Sequence, residues 1–91
     1  MRNYEMTALL RDSASEIEEG KSAIKEILSK NSAEVTAEED WGQKRLWHKV
    51  GHEEYAFFAY LKFNAEPSSI AKIEHECKIN QKILRVMIAR V

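Results

Sequence analysis

Residues 55–64, Tyr-Ala-Phe-Phe-Ala-Tyr-Leu-Lys-Phe-Asn, decide the fold of this chain. The stretch is rich in aromatic residues, which favour β-strands. Its central side chains form two alternate sets, one wholly apolar and one containing a lysine: Phe57, Ala59, Leu61 and Phe63 against Phe58, Tyr60 and Lys62. Because burying an unpartnered lysine costs several kcal/mol, the first set is predicted to face the core and the second to face outward.

Upstream of this strand, the pattern predicts a strand followed by a helix. Residues 3–10 alternate with period two, which is typical of a strand with one buried face. Ser13 and Glu16 have the spacing of a capping box, and apolar residues then recur at helical spacing as far as Asn31-Ser32. Gly20 is expected to weaken this helix by about 1 kcal/mol relative to alanine.

The rest of the chain supplies two more strands and a second helix. A strand is predicted from Ala33 to Trp41, where Gly42 interrupts the pattern, and the basic segment 43–52 is predicted to form the far end of a long hairpin. Pro67-Ser68-Ser69 is predicted to open the second helix, and the last strand to cover residues 83–91.

The resulting order, β-α-β-β-α-β, predicts one α+β domain over residues 1–91. Right-handed crossovers place both helices on one face of a four-stranded antiparallel sheet and leave the other face open. The predicted open face contains both charged and large apolar side chains: Glu5, Thr7, Leu9, Phe58, Tyr60, Lys62, Arg85 and Met87. So many apolar side chains on an exposed face indicate a docking surface.

Charge is unevenly distributed along the chain, although the formal net charge is only −1. Residues 13–40 hold eight acidic and three basic side chains, whereas residues 41–52 and 77–91 hold basic side chains and no acidic ones. A near-neutral chain with two basic segments indicates a localised contact with a polyanion rather than a general nucleic-acid coat.

No constellation of residues predicts catalysis, a cofactor or a metal. His48 and His52 are four residues apart in a predicted hairpin, where that spacing does not converge the side chains on a metal. The three glycines are isolated, so no phosphate-binding loop is formed, and no serine has a nucleophile-elbow context. The single Cys77 fits a reducing cytosol, and no apolar run approaches the roughly 20 residues of a membrane span. We therefore expect neither a membrane association nor a small-molecule substrate.

Two alternative functions share this predicted fold. RNA-recognition motifs have the same element order and a basic-aromatic signature in the third strand. Residues 55–60 resemble the end of that signature, but Glu53-Glu54 replaces its basic residue, and its register would turn Lys62 inward. The other alternative is a regulatory module that binds a metabolite at a homodimer interface, for which the sequence has no pocket-lining signature.

Several segments, in order along nearly the whole chain, match one family. They are residues 1–5, the segment Trp41-Gly42-Gln43-Lys44-Arg45-Leu46 with Val50, the strand 55–63, and Ile79, Ile83 and Arg85-Val86-Met87. Together they resemble the bacterial small-subunit ribosomal protein S6 family. The resemblance implies a ferredoxin-like fold and a structural role in the cytoplasmic ribosome. It also implies binding to the central domain of the small-subunit ribosomal RNA together with ribosomal protein S18.

This resemblance, together with the charge pattern, suggests two sets of contact residues. Lysine and arginine side chains bind RNA by neutralising phosphates and releasing counterions. The expected RNA contacts are Arg2, Lys44, Arg45, His48, Lys49 and Arg85. Aromatic anchors commonly dominate protein interfaces, and the expected protein-partner contacts are Leu9, Phe58, Tyr60 and Met87.

Overall fold

Four strands and two helices follow one another in the predicted order in a computed structural model of the chain. The structure describes the backbone of residues 1–50 and 53–91 and the side chains of residues 1–46 and 54–91. The elements are β1 (Arg2–Leu10), α1 (Ala14–Lys30), β2 (Glu34–Val50), β3 (Glu53–Ala65), α2 (Ile70–Ile79), which is preceded by a 3-10 turn (Pro67–Ser69), and β4 (Arg85–Arg90).

The strands form one antiparallel sheet in the order β2-β3-β1-β4, with both helices on one face. The core lies between the helices and that face, and its largest fully buried side chains are Met6, Leu10, Ile24, Leu28, Phe63, Ile73 and Cys77. Lys62 is exposed, and Phe57 packs against the core from the helix side. The prediction of which side of β3 faces the core, based on Lys62, is therefore confirmed.

The second strand is longer than predicted because a bulge at Gly42 lets it continue to Val50. Asp40 pairs with Ala59 and Gly42 pairs with Phe58, so Trp41 is an extra residue on β2. Gly42 has φ +82°, a left-handed conformation that glycine adopts without strain. The glycine therefore bends the strand where the sequence pattern predicted its end, and the predicted long hairpin is formed.

The boundaries of α1 and β4 show two smaller differences. The Ser13 hydroxyl accepts the Glu16 amide at 3.4 Å, as the capping box predicts, but the Glu16 carboxylate accepts from that hydroxyl and not from the Ser13 amide. Ile83 is buried as expected for an apolar residue, yet it lies in the turn before β4, where its amide donates to the Asn80 carbonyl at 3.1 Å.

Gly20 lies where α1 packs against Leu10 at the end of β1. A Cβ added there would lie 2.6 Å from Leu10 Cδ2 and 3.0 Å from the Lys82 carbonyl oxygen. Leu10 is fully buried, so its side chain has little room to move away. The glycine therefore permits a close approach of helix and sheet, which its low helix propensity alone does not reveal.

Candidate functional site on the open sheet face

The strand register aligns the open-face side chains in rows across the sheet. One row, written from β2 to β4, contains Gly42, Phe58, Leu9 and Arg85. The adjacent row contains Glu39, Tyr60, Thr7 and Met87. Phe58 and Tyr60 are half-buried, whereas Arg85 and Met87 are exposed. The structure thus places Phe58, Tyr60 and Met87 on one surface, as the period-two pattern predicted.

Trp41 completes an aromatic cluster on this face. Its indole stacks on the Tyr60 ring with the centroids 4.8 Å apart and the planes 10° from parallel, and 43% of the residue stays exposed. Lys44 Nζ lies 5.2 Å from the Trp41 ring centroid and 5.7 Å from that of Phe58, within the range of cation–π attraction. We refer to the three rings of Trp41, Phe58 and Tyr60 as the aromatic cluster.

Sequence reasoning missed Trp41 because it placed this residue at the end of a strand. The signal that could have found it is the glycine that follows. An isolated glycine within a strand pattern often marks a bulge, and a bulge redirects the neighbouring side chain. Here Trp41 lies on the same face as Glu39, and the bulge removes it from the ladder, so that its indole stacks on the Tyr60 ring while Gly42 pairs with Phe58.

Glu5 holds the Tyr60 ring in place from the neighbouring strand. The Tyr60 hydroxyl donates a hydrogen bond to a Glu5 carboxylate oxygen at 2.5 Å. That hydrogen bond, partial removal from solvent and the negative charges of Glu5 and Glu39 raise the pKa of Tyr60 to about 12. The phenol therefore stays neutral at physiological pH, and both ends of the Tyr60 side chain are fixed beneath the indole.

Leu9 lies in the register of the open face but does not reach its surface. Only 4% of the residue is exposed, because Phe58 and Arg85 flank it on the two adjacent strands. Ala56, on the same face of β3, is fully buried as well. The expectation that Leu9 contacts a partner directly is therefore corrected: it supports the exposed cluster from below.

The predicted RNA contacts do not form one continuous patch. Lys44 faces the open side above the aromatic rings, whereas Arg45 pairs with Tyr55 and points to the opposite side of the hairpin. Arg2 pairs with Ala65, whereas Lys44 pairs with Ala56. These two partners are nine residues apart on β3, which corresponds to about 30 Å at the usual rise per residue. Of the predicted RNA contacts whose side chains the structure describes, only Lys44 and Arg85 lie on the open face. His48 and Lys49 lie outside the described side chains.

The two faces of the sheet differ in charge. On the helix side, Lys21 and Lys25 of α1 pair with Asp40 and Glu38 of β2 at 2.7 and 3.0 Å, and further glutamates stay exposed on α1: Glu16, Glu18, Glu19 and Glu26. The open face carries the basic side chains of Lys44, Lys62 and Arg85 and also the carboxylates of Glu5, Glu34 and Glu39. A polyanion is therefore expected to approach the basic margins of this face rather than its acidic centre.

The remaining chemistry of the described residues is sparse. Residues 1–46 and 54–91 contain no group of three or more histidine, cysteine, aspartate or glutamate side chains that could hold a metal ion. Burial and the charges of Glu76 and Glu74 raise the pKa of the Cys77 thiol to about 11, so this thiol is a poor nucleophile. None of the helices in the described part of the chain is long and apolar enough to cross a membrane.

Sequence comparisons point consistently to one family. The sequence model of the family described as Ribosomal protein S6 matches residues 3–90. The small ribosomal subunit protein bS6 of Leptospira biflexa is 50% identical over 90 residues, which cover 99% of this chain and 97% of that protein. The bS6 protein of Elusimicrobium minutum is 33% identical over 90 residues, covering 97% and 86%.

Solved structures show the same fold at low sequence identity. The crystal structure of 30S ribosomal protein S6 from Thermotoga maritima superposes with a TM-score of 0.86 at 15% identity, covering 99% of this chain and 87% of that one. The C-terminal domain of the MgtC protein from Mycobacterium tuberculosis superposes with a TM-score of 0.64 at 9% identity, covering 100% and 88%. Since differently named proteins share this fold, the fold by itself does not assign the function.

Proposed function

We propose, because this chain belongs to the ribosomal protein S6 family, that it binds the central domain of the small-subunit ribosomal RNA together with ribosomal protein S18. As a member of that family it is a structural, non-enzymatic component of the small ribosomal subunit in the cytoplasm. The names of the relatives give the subunit and not the contacts, so the choice of partner and of contact residues is our proposal.

The aromatic cluster, together with Met87, is the proposed docking surface for S18. The observation that carries this assignment is the exposure of Trp41 and Met87, 43% and 47%, on a face where no helix covers them. The Trp41 ring is already fixed by Tyr60, so its burial against a partner costs little additional side-chain entropy. Large side chains that are held in place and desolvated on binding dominate the affinity of most protein interfaces.

Lys44 and Arg85 are the proposed RNA contacts on the open face. Lys44 lies on β2 and Arg85 on β4, on either side of Phe58 and Leu9. Three strand spacings, or about 15 Å, separate β2 from β4. Cationic side chains at the margin of an apolar surface can bind phosphates while the centre docks a protein. Arg45, on the other side of the hairpin, is proposed to contact a separate RNA segment, as are Arg2 at the far end of the sheet and His48 and Lys49.

The arrangement of β3 disfavours the single-strand RNA-binding alternative. An RNA-recognition motif would use Tyr55 and Phe57 as stacking side chains on the open face. Here Phe57 packs against the core on the helix side, with Lys21 Nζ 5.2 Å from its ring centroid, and Tyr55 shares that side. The rings that remain on the open face belong to the other alternate set, so the signature of that module is not reproduced.

A binding experiment with purified components tests both assignments. S18 is titrated into the chain, and the complex is then titrated with an RNA fragment of the central domain. Trp41→Ala is expected to weaken S18 binding, and Lys44→Ala to weaken RNA binding at a given S18 concentration. Unchanged affinities for both ligands would overturn the proposal.

A further inference from the structure

The two edges of the sheet differ in how well they are protected from pairing with another strand. On the outer strand β2, register shifts at Val35/Ala37 and at Asp40/Gly42 interrupt the ladder, and four acidic side chains line the strand: Glu34, Glu38, Glu39 and Asp40. Bulges and charges of this kind are the usual protection of an edge. The other outer strand, β4, pairs with β1 in an unbroken register from Arg85 to Arg90.

The register shows which backbone groups β4 leaves at the outer edge. The Val91 amide donates to the Asn3 carbonyl at 3.0 Å, which makes residues 3 and 91 a hydrogen-bonded pair. Because such pairs alternate along an antiparallel ladder, Arg85, Met87 and Ala89 also bond inward to β1. The N–H and C=O groups of the alternate residues Val86, Ile88 and Arg90 point outward, where no strand of residues 1–50 and 53–91 pairs with them.

A groove beside this edge offers space for side chains. It has a volume of about 580 Å³ and lies between α2 and β4, with Glu74 and Lys78 on the helix and residues 84–88 on the strand side. Val86 and Ile88 form part of its wall and are only half-buried. A strand added to β4 would place every second side chain in this groove, while the intervening ones would lie beside Met87 on the open face.

From these two observations we propose that the outer edge of β4 binds an extended, acidic segment of a partner protein by strand addition. The backbone of the segment continues the ladder at Val86, Ile88 and Arg90, and its alternate apolar side chains cover the exposed flanks of Val86 and Ile88. Arg85 and Arg90 lie at the two ends of β4, and Lys78 and Glu74 line the groove beside it, so the basic ends of the edge favour a partner with carboxylates near its ends.

The same charge distribution argues against two other occupants. A second copy of this chain paired through β4 would bring together two segments with four positive charges each. An RNA strand has no backbone N–H and C=O groups that alternate at the strand spacing, so it cannot continue the ladder. This inference does not depend on the aromatic cluster or on RNA binding, and it fails or stands separately from the proposed function.

Amide hydrogen exchange of the full chain, followed by NMR, tests the proposal. The probe is a synthetic peptide of alternating valine and threonine with a glutamate near each end, and the control is a peptide of the same composition with the alternation removed. We expect the alternating peptide at saturation to slow exchange of the Val86, Ile88 and Arg90 amides at least about tenfold. The amides of Met87 and Ala89, already bonded to β1, should change much less, and the control peptide should have no effect.

Two variants extend the test. Val86→Pro removes an outward N–H, which an edge strand tolerates, and should abolish peptide binding in a chain that still folds. Arg90→Glu reverses a charge at the end of the edge and should weaken binding of the acidic peptide roughly tenfold. If Val86→Pro fails to fold, the exchange data on the natural chain and the Arg90→Glu titration decide the question.

Three results would overturn the proposal. The first is that the alternating peptide leaves the exchange rates of the three outward amides unchanged. The second is protection of those amides that grows with protein concentration and accompanies a dimer, since a second copy would then occupy the edge. The third is protection by RNA but not by the peptide.

Discussion

The hydroxyl of Tyr60 donates to the Glu5 carboxylate at 2.5 Å and thereby links β3 to β1 across the open face of the sheet. The ring of Tyr60 is in turn the platform on which Trp41 stacks, 4.8 Å away. One hydrogen bond thus positions two aromatic side chains that lie on different strands. This relationship leads to separate predictions for the rings and for the hydroxyl.

Removing the exposed indole is expected to weaken the association with S18 more than removing an equally exposed ring elsewhere. Trp41→Ala should reduce the affinity at least about tenfold, because a large, exposed side chain that is held in place is lost from the surface. The measurement is a calorimetric titration of S18 into each variant.

Tyr55→Ala is the matched control for that measurement. Tyr55 is 46% exposed, close to the 43% of Trp41, but it lies on the opposite side of the hairpin. We expect the affinity of Tyr55→Ala for S18 to match that of the natural chain within a factor of about two. An equal loss in the two variants would place the partner around the hairpin rather than on the open face.

The Tyr60 hydroxyl predicts a dependence of stability on alkaline pH. The hydrogen bond to Glu5 raises the pKa of Tyr60 from 10.0 to about 12 in the folded chain, so the folded state holds this proton more tightly than the unfolded state. The stabilisation is therefore fully present below pH 10 and is lost as the pH rises through about 12. Denaturant unfolding at a series of alkaline pH values, compared with Tyr60→Phe, measures this loss.

Spectroscopic titration of the phenol provides an independent check of the same prediction. Ultraviolet absorbance should show one tyrosine that ionises near pH 12 in the natural chain and is missing in Tyr60→Phe. Glu5→Gln removes the main cause of the shift and should move this ionisation back toward 10.0. An unchanged titration curve in Glu5→Gln would mean that the carboxylate does not hold the hydroxyl in solution.

Single substitutions at the two adjacent basic residues of the hairpin separate its two sides. Lys44→Ala should weaken RNA binding and reduce the slope of log K against log salt by about one, as expected when one phosphate contact is lost. Arg45→Ala should have a similar effect, because Arg45 is proposed to contact a separate RNA segment on the other side of the hairpin. Gel shifts over a range of salt concentrations measure both.

Lys72→Ala supplies the control for the RNA measurements, since it removes an exposed lysine from α2 on the helix side. Its salt slope should equal that of the natural chain. A loss of slope in Lys72→Ala as large as in Lys44→Ala would show that the RNA contact is unspecific and is not confined to the open face.

Local patterns were enough to predict the fold because each strand and helix carries its own signal. The alternation in β3 and the cost of burying Lys62 set both faces of that strand, and antiparallel pairing with β1 extends the assignment across the sheet. The open face and its rings Phe58 and Tyr60 follow from the same reasoning. Nothing beyond the sequence pattern was needed for this part of the site.

The composition of the site could not be predicted where it depends on contacts between distant residues. The bulge at Gly42 shifts β2 by one residue, and a shift of one residue exchanges the faces of a strand, so Lys44 rather than Gln43 lies on the open face. Leu9 is buried by neighbours on two other strands, which its own alternation does not show. The separation of Arg2 from Lys44 follows from the pairing of β1 with β3, a contact between residues about 60 positions apart.

Gly20 leads to a stability prediction opposite in sign to the one that helix propensity makes. In the interior of α1, alanine would be favoured over glycine by about 1 kcal/mol. The added methyl group, however, meets Leu10 Cδ2 at 2.6 Å and the Lys82 carbonyl oxygen at 3.0 Å, and overpacking of this kind costs about 1–3 kcal/mol. Gly20→Ala is therefore expected to lower the free energy of unfolding by about 1 kcal/mol in a urea titration.

Two further variants connect that loss to the contact with Leu10. Ser22→Ala, an exposed position on the same helix, should raise stability by a few tenths of a kcal/mol through propensity alone. In a Leu10→Val background the contact is relieved, so Gly20→Ala should cost less than in the natural chain, and the double-mutant cycle gives the coupling energy. A Gly20→Ala variant that is more stable than the natural chain would contradict the close packing of α1 against β1.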